Sequence, residues 1–206
     1  MIYSCAECSL LECCKEEKGN LPKNCPMNNR SLMSDSFNEY SKEDIHSFYV
    51  NSSLIEALGY CEWVRLREIM EFSRSMNYHH LGLAFCKGLK REANITSKIL
   101  KENGFEVSSV ICKTGGFDKC SAGVDVKVHP DAFEPMCNPI AQARFLQEAG
   151  SEFNIVLGLC VGHDSLFYQY SHVKVTTFVV KDRVLAHNPA AALYLENSYM
   201  KKRVKG

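Results

Sequence analysis

No apolar run in this sequence approaches the ~20 residues needed to span a bilayer, so a transmembrane helix is not expected. An excess of one charge is missing too. The 24 Lys and Arg face 24 Asp and Glu, which leaves no overall basic field to gather nucleic acid. The start, Met1-Ile2-Tyr3-Ser4-Cys5, lacks the charged-then-apolar pattern of a signal peptide. The expectation is a cytoplasmic protein with neither a membrane nor a nucleic acid as partner. The basic tail Lys201-Lys202-Arg203-Val204-Lys205 reads as a solvated end. An even cysteine count is also absent, which together with a reducing compartment argues against a disulfide framework.

What the sequence does have is cysteine, eleven of them in 206 residues. In a reducing compartment their default use is metal or redox chemistry. Residues 1–30 are dense in Cys, Lys, Glu, Asn and Pro and too poor in apolar side chains to fold without a staple. Cys5-Ala6-Glu7-Cys8 sets two sulfurs on one tight turn, Cys13-Cys14 follow, and Cys25 precedes Pro26. Four thiolates close a tetrahedron, so the expected set is Cys5, Cys8, Cys25 and one of Cys13 or Cys14. Zinc and an iron–sulfur cluster both accept it. The proline after the last cysteine resembles ferredoxin-type runs, although the spacing differs.

The remainder reads as a helical segment over 31–76 and an α/β domain over 77–206. Apolar residues recur at helical spacing from Ser41 to Met76, with a break expected near Asn51-Ser52-Ser53. Strands are expected at 81–85, 105–111, 153–159 and 173–180. Helices are expected at 89–103, 139–149, 164–170 and 189–199. This alternation predicts a small, mainly parallel sheet of about four strands with helices covering its faces, the earlier helices packed against it.

In a parallel sheet all strand carboxyl ends share one edge, where such folds bind ligands. Cys86, Cys112 and Cys160 each follow a strand. Cys137 precedes the cap Asn138-Pro139 of a helix that starts at the same edge. Cys137-Asn138-Pro139-Ile140-Ala141 is echoed by His187-Asn188-Pro189-Ala190-Ala191, which adds His187 as a candidate ligand. All-sulfur ligation suits an iron–sulfur cluster, here [4Fe–4S], or zinc. Cys160 is also a candidate nucleophile with His163 as base or proton donor and Asp164 orienting it. Lys181-Asp182-Arg183 leaves the last strand at this edge and is a candidate seat for an anionic small-molecule substrate. Three function classes are compatible with these residues: an iron–sulfur protein with a redox or sulfur-transfer role, served by a redox partner protein; a zinc-stapled binding module; and a metal-free thiol enzyme.

Four stretches carry a resemblance. They are the Cys5-x-x-Cys8 cluster, Met136-Cys137-Asn138-Pro139-Ile140-Ala141-Gln142-Ala143, Gly158-Leu159-Cys160-Val161-Gly162-His163-Asp164, and Lys181-Asp182-Arg183-Val184 with His187-Asn188-Pro189. Together they resemble an uncharacterised family of cysteine-rich, predicted metal-binding proteins of anaerobic bacteria and archaea. The resemblance implies metal and an anaerobic setting, but no reaction. Ala186 departs from it at a position where glycine would be expected.

Overall fold

The computed structural model describes residues 2–205, and the chain divides into two units, Met1–Leu58 and Gly59–Gly206. The first unit begins with three single 3-10 turns, Cys5–Glu7, Glu12–Cys14 and Pro26–Asn28. Among described residues 2–30 no apolar side chain is buried; the one buried residue is Glu12. Its carboxylate accepts from Gly19 N and Lys15 Nζ, both at 2.6 Å, and these bonds hold its pKa below the usual range. Polar clamps therefore take the place that a core has elsewhere. Helix α1 (Arg30–Glu39) starts at an Asn29 cap, whose side chain accepts from Leu32 N.

Helix α2 (Glu43–Gly59) corrects the expected break at 51–53, because it runs straight through those residues. Asn51 Nδ2 and Ser52 Oγ donate to the carbonyls of Ser47 and Phe48, four residues back, so both polar side chains are satisfied inside the helix. The chain turns instead after Gly59. There the Trp63 ring lies where a Cβ on Gly59 would have to go, and Cys61 takes a positive φ of 59°.

In the second unit α3 (Arg65–Ser75) is followed by β1 (His80–Phe85), α4 (Lys90–Glu102), β2 (Glu106–Ile111), α5 (Pro139–Glu148), β3 (Phe153–Leu157), α6 (His163–Tyr170), β4 (Val175–Val179), α7 (Ala190–Tyr194) and α8 (Lys201–Lys205). The four strands are all parallel, in the order β2-β1-β3-β4. Every residue of β3 and the centre of β1 are buried, as two-sided coverage requires of inner strands. Right-handed crossovers set α4 on one face and α5 with α6 on the other. Helix α3 joins the layer of α4: Phe72 packs on Phe153, and Arg74 donates to the Asn103 carbonyl that ends α4. The expected last helix at 189–199 is shorter, ending at Tyr194, and the basic tail forms a helical turn of its own.

Two backbone positions shape the loops that leave β3 and β4. Gly158, at φ 66°, turns the chain sharply out of β3, and a Cβ there would overlap Leu89. Gly158→Ala should lower stability by about 2–4 kcal/mol in urea unfolding, through left-handed strain plus the clash. An effect under ~0.5 kcal/mol would show that the turn is not constrained as described. Ala186 sits at φ 50° without glycine's freedom. Ala186→Gly should raise stability by about 0.5–1 kcal/mol, the relieved strain less the greater flexibility of glycine in the unfolded chain.

Candidate thiolate site at the strand carboxyl ends

The strand order reverses direction between β1 and β3, which makes their carboxyl ends the switch point at which open parallel sheets bind ligands. The β1–β2 register ends with Phe85 beside Ile111, and Cys112 N continues it by donating to Phe85 O at 2.9 Å. One further step sets Cys86 beside Cys112. The long return from β2 is then pinned back to the same place. Lys113 Nζ donates to Pro135 O at 2.5 Å, Met136 N to Phe117 O, and Asn138 N to Cys112 O at 2.8 Å. Asn138 caps α5 through Ala141 N, as the Asn-Pro pair predicts. Cys137 is thereby delivered to the other side of Cys112.

Cys112 lies between Cys86 and Cys137, near enough for each of the two to feel it. Cys86 and Cys112 are buried, and Cys137 is half-buried. Cys112, flanked by two sulfurs and desolvated, is pushed far up and keeps its proton. The bond from Cys112 brings Cys86 down to about 4, with Lys181 and the Gly88 N–H adding to it. The Cys112 bond likewise brings Cys137 down to about 5, helped by Lys113 and the charge of His163. Lys181 Nζ lies 2.7 Å from Cys86 Sγ, and Lys87 N donates to Cys112 Sγ at 3.3 Å.

Cys160, half-buried, has a partner of its own, Arg183 Nη2, which donates to its sulfur at 3.2 Å. The sulfur of Cys160 above all, with Cys86 and Cys137 farther off, holds the Arg183 guanidinium still more firmly charged. Arg183 thus lies within the field of three of the four sulfurs. Beneath the row, Gln142 Nε2 donates to Phe85 O and Val110 O, tying the ends of β1 and β2 together. Gln142 Oε1 and His163 Nδ1 are buried without a hydrogen-bond partner among the described residues.

No hydrogen bond joins Cys160 to His163 among the described residues. Cys160 engages Arg183, His163 Nδ1 is unpartnered, and Asp164 Oδ1 accepts from Ser165 N. His187 Nδ1 accepts from Asp182 N at 3.1 Å, so it braces the Lys181–Arg183 loop, with no bond to a sulfur. In the first unit Cys5, Cys8 and Cys25 line one cavity, whereas exposed Cys13 and Cys14 have their sulfurs 3.9 Å apart and lie off its wall. Among the described residues no three His, Cys, Asp or Glu converge closely enough to grip a single metal ion. At the strand ends the donors fit a soft metal in kind, being all sulfur with N–H groups and cations aimed at them, but they stand as an open row. Sequence reasoning missed Lys113 and Gln142. A lysine directly after a rim cysteine was the available signal for the first, and the second gave none.

No helix is long and apolar enough to cross a membrane among the described residues. A family model described as "Protein of unknown function (DUF1847)" matches residues 25–178, a span that holds Cys25 and all four strand-end cysteines. An uncharacterized protein of Methanocaldococcus jannaschii is 48% identical over 172 residues, covering 82% of this chain and 86% of that one. No solved structure matches.

In metal-free protein the low pKa values of Cys86 and Cys137 predict that thiolate absorption in the ultraviolet persists as pH falls from 8 to about 5.5, and fades only below that. Lys181→Met should shift the Cys86 part of this loss to higher pH. Complete loss of thiolate absorption between pH 9 and 7 would contradict the arrangement.

Proposed function

The chain belongs to the family of unknown function DUF1847, and from its site we propose that it holds metal on cysteine thiolates, as an iron–sulfur protein with a redox or sulfur-transfer role on a small anionic molecule. The observation that carries this reading is that Cys86, Cys112 and Cys137, from three separate elements, are gathered at the switch point by the β1–β2 register and the Asn138 N to Cys112 O bond. A protein has little reason to gather thiols there for packing alone, since repulsion between thiolates opposes it. Cys160, one residue from Leu159 and close to Arg183, is the fourth sulfur available to the set. A [4Fe–4S] cluster bound here would supply one-electron transfer or sulfide.

The chain's own residues would do the rest. Lys181, Arg183 and Lys113 neutralise sulfur charge, and the Lys87 and Gly88 N–H groups donate to sulfur, an interaction that raises the potential of such centres. Lys181 and Arg183 also form the cationic edge that receives an anionic substrate. His163, with its buried unpartnered Nδ1, is the group able to hold or pass a proton beside it. The first unit, which has no apolar core over residues 2–30, is stapled by a second metal site on Cys5, Cys8 and Cys25. The reading further assigns the protein to the cytoplasm, working with a redox partner protein, and to an anaerobe, as the sequence resemblance implies.

Protein isolated without oxygen should be brown and contain iron and sulfide. Cys112→Ser should remove roughly half of both if the two sites carry comparable clusters, while Cys61→Ser, which changes an exposed thiol, should remove none. Zinc in place of iron would favour a zinc-stapled binding module. A colourless protein without either metal would end the proposal.

A further inference from the structure

The first unit shows something the spacing of its cysteines does not. Cys5, Cys8 and Cys25 line a cavity of about 290 Å³, together with Ser4, Glu7 and Asn24. The wall is held in shape by polar bonds. Cys8 N donates to Cys5 O at 3.1 Å, Cys25 N to Pro22 O at 2.9 Å, and Asn24 Nδ2 to Ser4 Oγ at 2.5 Å, which ties the two cysteine-bearing arms together. Neither Cys13 nor Cys14 reaches this wall. The tetrahedral four-thiolate set expected from spacing is therefore reduced to three.

A closed structural zinc site draws four ligands to within ~2.3 Å of one ion. Here three cysteines, not four, line a space much larger than one ion fills. A multinuclear cluster has the opposite demands. It takes one thiolate on each iron, fills the space between with sulfide, and keeps its ligands well apart. The volume is near the lower bound of small-ligand pockets, which leaves room for a cluster and a small bound molecule together.

We propose that Cys5, Cys8 and Cys25 hold a [4Fe–4S] cluster whose fourth iron has no ligand from this chain and takes a small anionic Lewis base from solution. This deepens the reading that the cysteines hold metal, and it changes the role of the first unit from staple to ligand-accepting centre. Iron at the open position exchanges water for the incoming anion, with no change in oxidation state. Glu7 is the one carboxylate on the wall and the one residue able to compete for that position.

The test uses the full chain carrying Cys112→Ser, reconstituted without oxygen with iron and sulfide, and cyanide as the probe. The expected result is about four iron and four sulfide per chain, with a reduced-state electron paramagnetic resonance signal that cyanide shifts. Cys8→Ser added to this background should abolish the signal, and Cys13→Ser or Cys14→Ser should leave it. If Cys112→Ser does not fold, the cyanide shift is sought in otherwise unsubstituted protein, where its loss with Cys8→Ser supports the proposal and its survival overturns it. One zinc per chain, dependent on Cys13 or Cys14, would overturn the proposal. So would a cluster indifferent to cyanide until Glu7→Gln is introduced, because Glu7 would then be its fourth ligand. Iron that is unaffected by Cys112→Ser but lost with Cys8→Ser would sink the strand-end site and leave this one standing.

Discussion

Everything at the candidate site depends on the parallel register between β1 and β2 being carried one residue past the last paired strand positions. Phe85 sits beside Ile111, and the bond from Cys112 N to Phe85 O prolongs that pairing. Two cysteines then lie side by side at the carboxyl edge of the sheet, where the turn after β1 brings Lys87 N–H to Cys112 Sγ. Gln142 locks the arrangement from below by bonding both strand ends at once. A slip of one residue would turn either sulfur to the opposite face.

Gathering sulfurs creates an electrostatic problem that the surrounding residues answer. Two thiols brought low in pKa on either side of a third would repel one another in a half-buried setting. Lys181, Lys113 and Arg183 come from two different loops and each addresses a different sulfur. His187, bonded through Nδ1 to Asp182 N, keeps the Lys181–Arg183 loop in place from behind. The positive φ values at Ala186 and His187 belong to the tight turn that makes this bond possible. The glycine expected at 186 from the sequence resemblance has a physical meaning, since the position is left-handed.

The strands were legible because alternating helices and strands leave little choice but parallel pairing, and the edge they share because three of the four apolar runs end directly in a cysteine. Cys86, Cys112 and Cys137 follow from that reading alone. What the sequence did not convey is how far each group reaches. Cys160 looks equivalent to the others in position, but its sulfur accepts from Arg183, a partner that spacing did not suggest. His163 looks like a base for Cys160 and instead bears on Cys137. Asn51 and Ser52 read as a break, yet their side chains bond back into the helix. Spacing alone offered one of Cys13 or Cys14 as a ligand, and neither lines the cavity of Cys5, Cys8 and Cys25.

The central claim is that metal sits on the sulfurs at the strand ends. Its most direct test is an anaerobic crystal structure with anomalous data collected on either side of the iron and zinc absorption edges. The account predicts an iron-edge peak within bonding distance of the sulfurs of Cys86, Cys112 and Cys137. No peak at either edge, with Cys86 still bonded to Lys181 and Cys160 to Arg183, would contradict it.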